Sequence, residues 1–227
     1  MTDAIDYYAD RLSARRLRTC YEIAPPRVRQ YLEAEVQHVL SKIPPCSRVL
    51  ELGCGYGRIL ERLATKAGEV VGIDTSLSSL ELASSALNGF SNCHLAAMDA
   101  VSPGFADAAF DVVVCIQNGI SAFKVDRRDL IDKSVRATRP GGLVLFSSYA
   151  EGFWEARLEW FELQARHGLI GEIDREQTGD GVIICKDGFQ AATVGPDEFA
   201  SLCRSLEIEP RIEEVDGSSL FCEIRIG

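Results

Sequence analysis

The chain has 227 residues, of which 46% are hydrophobic and 26% are charged, a composition typical of a soluble globular protein. That length can bury a core in one domain, or in one domain with a modest cap. No apolar run approaches the roughly 18 residues that a membrane helix needs. The acidic N-terminus lacks the basic stretch and apolar run of a secretion signal, so we expect a cytoplasmic protein with no membrane segment.

The charge and the cysteines exclude further classes of function. The formal net charge is −10, and residues 151–227 hold 17 Asp/Glu against 7 Lys/Arg. An acidic chain without a basic stripe is a poor match for a phosphate backbone, so a nucleic-acid partner is disfavoured. The eight cysteines form no Cys-x-x-Cys pair and no Cys/His cluster at zinc-ligand spacing. We therefore expect reduced thiols and no bound metal.

The predicted elements begin with helices and continue as alternating strands and helices. Residues 1–44 read as helical, with a break at Pro25-Pro26 and an end at Pro44-Pro45. The predicted strands are 47–52, 69–73, 93–97, 110–116 and 142–148, and the helices between them are 58–66, 77–87 and 127–138. Strands that alternate with helices predict a parallel sheet that is covered on both faces.

The alternation changes after residue 150. A helix at 153–167 precedes short β runs at 172–176, 182–186 and 189–194, which glycine-containing turns separate. A helix at 196–206 and two strands at 208–215 and 220–226 follow. The pattern predicts three units: an N-terminal helical lid (1–45), an α/β core (46–150 and 195–227) and a small α+β cap insertion after the fifth strand (151–194).

A glycine-rich turn follows the first strand. It has the pattern G-x-G-x-G from Gly53 to Gly57 and is followed by a predicted helix. Such a turn lets the backbone approach a ligand at the carboxyl edge of the sheet. The dinucleotide fingerprint requires Gly or Ala where this chain has Arg58, so the turn disfavours a dinucleotide ligand.

Acidic residues stand at the ends of the first three strands. Glu51 precedes the glycine turn, Asp74 ends the second strand, and Asp99 ends the third. Asp74 is placed to accept hydrogen bonds from both hydroxyls of a ribose, and Asp99 from the exocyclic amine of adenine. Three carboxylates repel a pyrophosphate but attract a sulfonium and an ammonium. The pattern therefore favours a nucleoside cofactor that carries no phosphate.

These motifs resemble those of the class I S-adenosylmethionine-dependent methyltransferases. The resemblance covers about residues 47–150. It rests on the glycine turn with its acidic residue and on Gly72-Ile73-Asp74, Ala97-Met98-Asp99-Ala100, Phe110-Asp111-Val112-Val113-Val114 and Arg139-Pro140-Gly141-Gly142. It implies an α/β fold, Rossmann-like and doubly wound, with a seven-stranded sheet in the order 3-2-1-4-5-7-6 and an antiparallel last strand.

The resemblance also implies S-adenosylmethionine as the cofactor and assigns residues to it. Gly53 and Gly55 fall to the methionine moiety, Asp74 to the ribose, and Asp99 with Ala100 to the adenine. The full set of cofactor-binding residues that we predict is Glu51, Gly53, Cys54, Gly55, Asp74, Thr75, Met98, Asp99, Ala100 and Gln117.

The acceptor is less clearly marked in the sequence. We predict substrate contacts from Tyr8, Tyr21, Asn118 and Trp154, and the candidates for a catalytic group are His167 and Asn118. The Asn/Asp-Pro-Pro-Tyr signature that the family uses for amino groups on bases or amides is absent after the fourth strand. Its absence disfavours a nucleic-acid or glutamine target.

We therefore predict an enzyme that moves a methyl group to a nucleophilic N, O or S atom of a small molecule by in-line displacement. The acceptor is expected between residues 1–45 and 151–194. Two alternatives stay open: a methyltransferase that acts on a protein or RNA, and a non-catalytic module that binds S-adenosylmethionine. A homodimer is open as well, and the sequence does not identify the acceptor.

Overall fold

The computed structural model describes residues 7–227, apart from the side chains of residues 9 and 10. The first six residues of the predicted lid thus lie outside the described residues. Three helices come first: α1 (Tyr7–Asp10), α2 (Ala14–Glu22) and α3 (Pro26–Lys42). Pro26 is the first residue of α3, where the fixed φ of proline suits a helix and no amide hydrogen is needed.

The central part of the chain follows the predicted alternation. Its elements are β1 (Arg48–Leu52), α4 (Arg58–Ala64), β2 (Glu69–Asp74), α5 (Leu77–Ala86), β3 (Cys93–Ala97), β4 (Phe110–Cys115), α6 (Gly119–Ala122), α7 (Arg127–Ala137) and β5 (Thr138–Tyr149). The short helix α6 was not predicted, because its four residues carry no helical periodicity.

Most of the remaining elements are shorter than predicted, while the last strand has its predicted length and a 3₁₀ turn was not predicted. These elements are a 3₁₀ turn (Glu151–Phe153), α8 (Trp154–Arg166), β6 (Ile183–Ile184), β7 (Gln190–Ala191), α9 (Pro196–Arg204), β8 (Arg211–Val215) and β9 (Ser219–Arg225). The predicted strand at 172–176 is wrong. Asp174 Oδ1 accepts hydrogen bonds from the amides of Glu176 and Gln177, which turns the backbone there and leaves a single bridge between Ile173 and Cys185.

The seven-stranded sheet has the order β3-β2-β1-β4-β5-β9-β8. Its first five strands are parallel, while β9 is antiparallel to both β5 and β8. Since β6 and β7 form a separate hairpin, this is the predicted order 3-2-1-4-5-7-6 with an antiparallel last strand, and the prediction is confirmed. The carboxyl ends of β1 to β4 consequently meet at one edge.

Both faces of the sheet are buried. Val112 and Val114 of β4 belong to one cluster with side chains of α3, α4 and α5. Val113 and Cys115 point to the other face and belong to a second cluster with α7 and α9. The run of apolar residues in β4 therefore reflects burial on both sides, as is usual for a central parallel strand.

The helices α1 to α3 and residues 149–191 share a third hydrophobic cluster. We call these two packed segments together the cover. Trp160 Nε1 donates to the carbonyl of Cys20 over 2.8 Å. Arg16 Nη2 donates to the carbonyl of Gly168 over 2.7 Å, and the hydroxyl of Tyr7 donates to Asp187 Oδ2 over 2.6 Å. The two additions to the core are thus one packed unit.

None of the helices among residues 7–227 combines the length and the apolar character that crossing a bilayer requires.

The buried bond between Trp160 and the Cys20 carbonyl is testable by substitution. We expect Trp160→Phe to lower the free energy of unfolding by about 1–3 kcal/mol, because a buried carbonyl loses its donor. Trp154→Phe, in the same helix, is the matched control, since within residues 7–227 no hydrogen bond of its indole is seen. Urea denaturation measures both, and equal losses in the two variants would contradict the assignment.

Candidate functional site

A cavity of about 220 Å³ lies between the carboxyl edge of the sheet and the cover. One water needs roughly 10–15 Å³ on the same measure, so the cavity is of ligand size. Its wall includes all ten residues predicted for the cofactor, together with Tyr8 and Tyr21. The structure therefore brings the predicted donor residues together, while their individual roles stay predictions.

The glycine turn between β1 and α4 forms the floor of this cavity. Gly53, Gly55 and Gly57 have φ angles of 71°, 52° and 86°, a region that side-chain-bearing residues rarely adopt. A Cβ at Gly53 would come within 2.5 Å of the Phe123 ring. Glycine at these positions is thus required by backbone geometry and by close approach.

Asp74 fastens the turn to the end of β2. Its Oδ2 accepts the amide hydrogen of Gly55 and its Oδ1 that of Ser76, each over 2.8 Å. The amides of Gly53 and Cys54 both donate to the carbonyl of Ile73 over 2.9 Å. Asp74 therefore orders the turn in addition to facing the cavity.

Three side chains of the wall carry buried polar atoms that have no hydrogen-bond partner within residues 7–227. These atoms are Glu51 Oε2, Arg58 Nη2 and Gln117 Nε2. Buried polar groups are normally paired, so such atoms in a cavity wall indicate a polar ligand. The Glu51 carboxyl group suits an ammonium and the Arg58 guanidinium suits a carboxylate, which are the two charged groups of a free amino acid.

Burial raises the pKa of Glu51 to about 8. The positive charge of Arg58 opposes this rise, and the negative charge of Asp74 adds to it. Arg58 also lies over the ring of Tyr21, with 4.7 Å from Cζ to the ring centroid. In the sequence, Arg58 stood out only as a departure from the dinucleotide fingerprint.

Gln117 begins a strained turn after β4. Gln117 and Asn118 have φ angles of 56° and 61°, which costs about 1–3 kcal/mol for each non-glycine residue. The backbone N–H of Gln117 donates to Glu35 Oε2 over 3.1 Å and to Ser147 Oγ over 2.8 Å. Ser219 Oγ donates to Glu35 Oε1 over 2.7 Å, so α3, β5 and β9 jointly hold the turn.

The structure places three predicted residues outside the cavity wall. Asn118 is buried, its Nδ2 donates to the carbonyl of Ala192, and its Oδ1 accepts from Ser148 Oγ. Both polar atoms of its side chain thus help to hold the turn. Trp154 is half-buried on α8 near Arg157, and His167 is exposed at the C-terminal end of α8. The positions of these three residues give no support to the substrate or catalytic roles predicted for them, which stay predictions.

Several wall residues were not predicted. Trp160, Phe161 and Gln164 of α8 face the cavity because their helical spacing puts them on one side of the helix. Tyr149 and Phe123, from other elements, also line it. Phe161 was visible in the sequence as part of an apolar stripe, but such a stripe equally indicates ordinary packing. The way α8 packs against α3 decides whether these residues face the cavity, and residue spacing does not show that packing.

Residues 49–142 match a protein-family profile described as a methyltransferase domain. Residues 49–142 therefore form a methyltransferase domain like those of the class I S-adenosylmethionine-dependent family. The chain is 26% identical over 175 residues to a ubiquinone biosynthesis O-methyltransferase of Paracidovorax citrulli, covering 71% of this chain and 63% of that one. A malonyl-[acyl-carrier protein] O-methyltransferase of Erwinia pyrifoliae is 30% identical over 172 residues, with coverage of 70% and 60%.

The fold of this methyltransferase domain recurs in solved structures. The N-methyltransferase NodS of Bradyrhizobium japonicum, in complex with S-adenosyl-L-homocysteine, aligns with a TM-score of 0.60 at 19% identity. The alignment covers 96% of this chain and 99% of that one. The chain spans only about half the length of curated relatives that it matches, for example 46% and 45% of two of them.

One group of possible metal ligands lies away from the cavity, among the described residues. His38, Glu213 and Glu223 hold ligand atoms within 4.8 Å of one another. Lys42 Nζ already contacts both carboxylates, over 3.2 Å and 2.5 Å, so an ammonium occupies the place a metal would take. The expectation of no metal stays a prediction.

The raised pKa of Glu51 predicts a pH dependence of cofactor binding. A carboxyl group with a pKa of about 8 is mostly protonated at pH 6, whereas an ammonium ligand favours the carboxylate. Binding must therefore release a proton, and the affinity for S-adenosylhomocysteine should rise by nearly tenfold per pH unit between pH 6 and 7.5. Isothermal titration calorimetry at several pH values measures this.

Glu51→Gln is the control for that experiment. It keeps the shape of the side chain but does not titrate, so its affinity should be weaker and almost independent of pH. A wild-type affinity that is flat across the same range would show that Glu51 does not receive the ammonium.

Proposed function

We propose that this chain is a small-molecule methyltransferase that uses S-adenosylmethionine as its methyl donor. The observation that carries the proposal is the shared cavity: the predicted donor residues line its sheet side, and aromatic residues of the cover line the other side. A donor site and a closed space beside it are what a transfer to a small acceptor needs.

The residues present fit the cofactor. The Glu51 carboxylate would receive the ammonium of the methionine moiety. Arg58, whose Nη2 has no hydrogen-bond partner in the described part of the chain, would receive its carboxylate. Asp74 would accept from the ribose hydroxyls, and Asp99 with Ala100 would contact the adenine. When bound, the cofactor supplies a methyl group that its sulfonium has already activated.

The protein's own contribution is to bind, orient and exclude water. Holding two reactants in line can supply on the order of 7–11 kcal/mol of the barrier reduction. The cover closes over the carboxyl edge and packs through Trp160 and Phe161, which line the cavity and belong to its cluster. A lid role for this unit would keep water from the reacting groups.

Two observations support a small acceptor. The cavity lies beneath the packed cover, so a folded polymer would have to displace much of that cluster to reach the donor. The net charge of −10 adds no attraction for RNA. The relatives that carry names for ubiquinone biosynthesis and malonyl-[acyl-carrier protein] methylation also support an acceptor that is a small molecule or a small tethered group.

Calorimetry with cofactors tests the donor site. The protein should bind S-adenosylhomocysteine and should not bind NAD. Asp74→Asn should weaken binding by at least tenfold, because a charged acceptor of ribose hydrogen bonds is worth about 1.5–3 kcal/mol. Asp99→Asn is the comparison and should lose less, since one adenine amine is involved.

A metabolite library tests the transfer itself. Thermal shift with S-adenosylhomocysteine present should identify binders, and mass spectrometry after incubation with S-adenosylmethionine should detect a product that is heavier by one methylene. Micromolar NAD binding without binding of S-adenosylhomocysteine would overturn the proposed function.

A further inference from the structure

The cover side of the cavity is rich in aromatic rings. Tyr8, Tyr21, Tyr149, Trp160 and Phe161 all line it. Such a lining suits two opposite kinds of acceptor. Ring faces attract a cation such as an amine, and they also stack on a flat neutral or anionic molecule.

Two of these rings already carry a cation. Arg58 Cζ lies 4.7 Å from the centroid of Tyr21, and Arg157 Cζ lies 4.4 Å from that of Tyr149. The attraction that these rings offer to a cation is therefore in use. Arg58 belongs to the cavity wall, whereas Arg157 lies behind the Tyr149 ring and is not part of the wall. Both guanidinium groups repel a further positive charge in the cavity, and the low dielectric of a buried site strengthens that repulsion.

Among the side chains that the structure describes, which leave out those of residues 9 and 10, Arg157 has no anionic partner. It is 1% exposed, its Nη1 donates to the carbonyl of Gly181 over 2.9 Å, and its Nη2 donates to that of Ala191 over 2.6 Å. Its Nε has no hydrogen-bond partner. Burial lowers the pKa of Arg157, but a guanidinium stays charged in proteins. A buried charge without a counter-ion is costly and favours an anion nearby.

The carboxylates of the wall lie at the other side of the cavity. Glu51 belongs to β1 and Asp74 to β2, and Asp99 follows β3. There these residues would bind the proposed cofactor. On the cover side, burial raises the pKa of Tyr149 to about 12 and that of Tyr21 well above its usual range. These phenols are therefore neutral near pH 7 and can donate hydrogen bonds.

We propose that the acceptor is an oxygen acid, a carboxylic acid or an acidic phenol, that binds on the cover side as its anion beside Tyr149, where the positive charge of Arg157 behind that ring attracts it. This rests on the proposed methyltransferase function. An anionic oxygen forms the bond to the methyl carbon while the carbon–sulfur bond breaks and its electron pair goes to sulfur. The products are a methyl ester or ether and S-adenosylhomocysteine, and no proton has to be removed.

Three aromatic probes of similar size and different charge test the proposal in the wild-type protein. These are benzoate, benzyl alcohol and benzylamine, titrated by calorimetry into protein saturated with S-adenosylhomocysteine. That cofactor product has no sulfonium, so a preference for an anion must come from the protein. We expect benzoate to bind at least tenfold more tightly than benzylamine.

A preference for benzylamine, equal affinities, or no binding of benzoate at millimolar concentration overturns the proposal. The proposed function fails differently, through a wild-type protein that does not bind S-adenosylhomocysteine. The two failures are therefore distinguishable.

Substitutions of Arg157 identify the source of the preference. Arg157→Met removes the charge and should bring the affinity for benzoate to within threefold of that for benzyl alcohol. Arg157→Lys keeps a positive charge and should retain most of the preference. Arg166→Met, on the exposed end of α8, is the control for loss of a distant positive charge and should behave like the wild type.

Circular dichroism and the affinity for S-adenosylhomocysteine check that each variant is folded. An unchanged benzoate preference in a folded Arg157→Met protein overturns the role of Arg157. If that variant does not fold, Arg157→Lys and the wild-type probe series decide the proposal.

Discussion

The site depends on one constraint, the fastening of the glycine turn to the end of β2. The turn needs a left-handed backbone at three glycines, and the amides that this conformation exposes must find acceptors. Asp74 and the Ile73 carbonyl supply them, over 2.8 Å and 2.9 Å. Because β1 and β2 are neighbours in the sheet, this bond also fixes Glu51 relative to Asp74. The acidic side of the cavity is thus a consequence of strand order.

The turn after β4, on the same side of the cavity, is held by a different kind of contact. The Gln117–Asn118 turn is strained, and bonds from Glu35, Ser147 and Ser148 stabilise it. Burial raises the pKa of Glu35 to about 7, while its bonds to the Ser147 and Ser219 hydroxyls oppose the rise. The strained turn and the buried carboxyl group of Glu35 both cost free energy, and both lie beside the cavity. Functional sites are where proteins commonly retain such local costs.

The alternation of strands and helices and the position of the cavity at the sheet edge could be predicted because each leaves a local trace, while the strand order followed from the family resemblance. Glycines, strand-ending acids and apolar runs have fixed meanings at fixed positions in a parallel sheet. The acceptor side leaves no such trace. Trp154 and Trp160 look alike in the sequence, yet only Trp160 reaches the cavity, because the docking of α8 on the N-terminal helices sets its rotation. Arg157 could not be interpreted either, since the pairing of its guanidinium depends on how the cover packs.

The distribution of charge links the fold to the chemistry. The sheet side of the cavity carries carboxylates at strand ends, and the cover side carries the guanidinium of Arg157 behind the Tyr149 ring. This polarity suits a reaction between a cationic donor and an anionic acceptor, because each reactant has a side that stabilises it and a side that repels it. His167 lies outside the wall, and an acceptor that arrives as an anion needs no base. The same polarity therefore accounts for orientation and for a transfer driven by position.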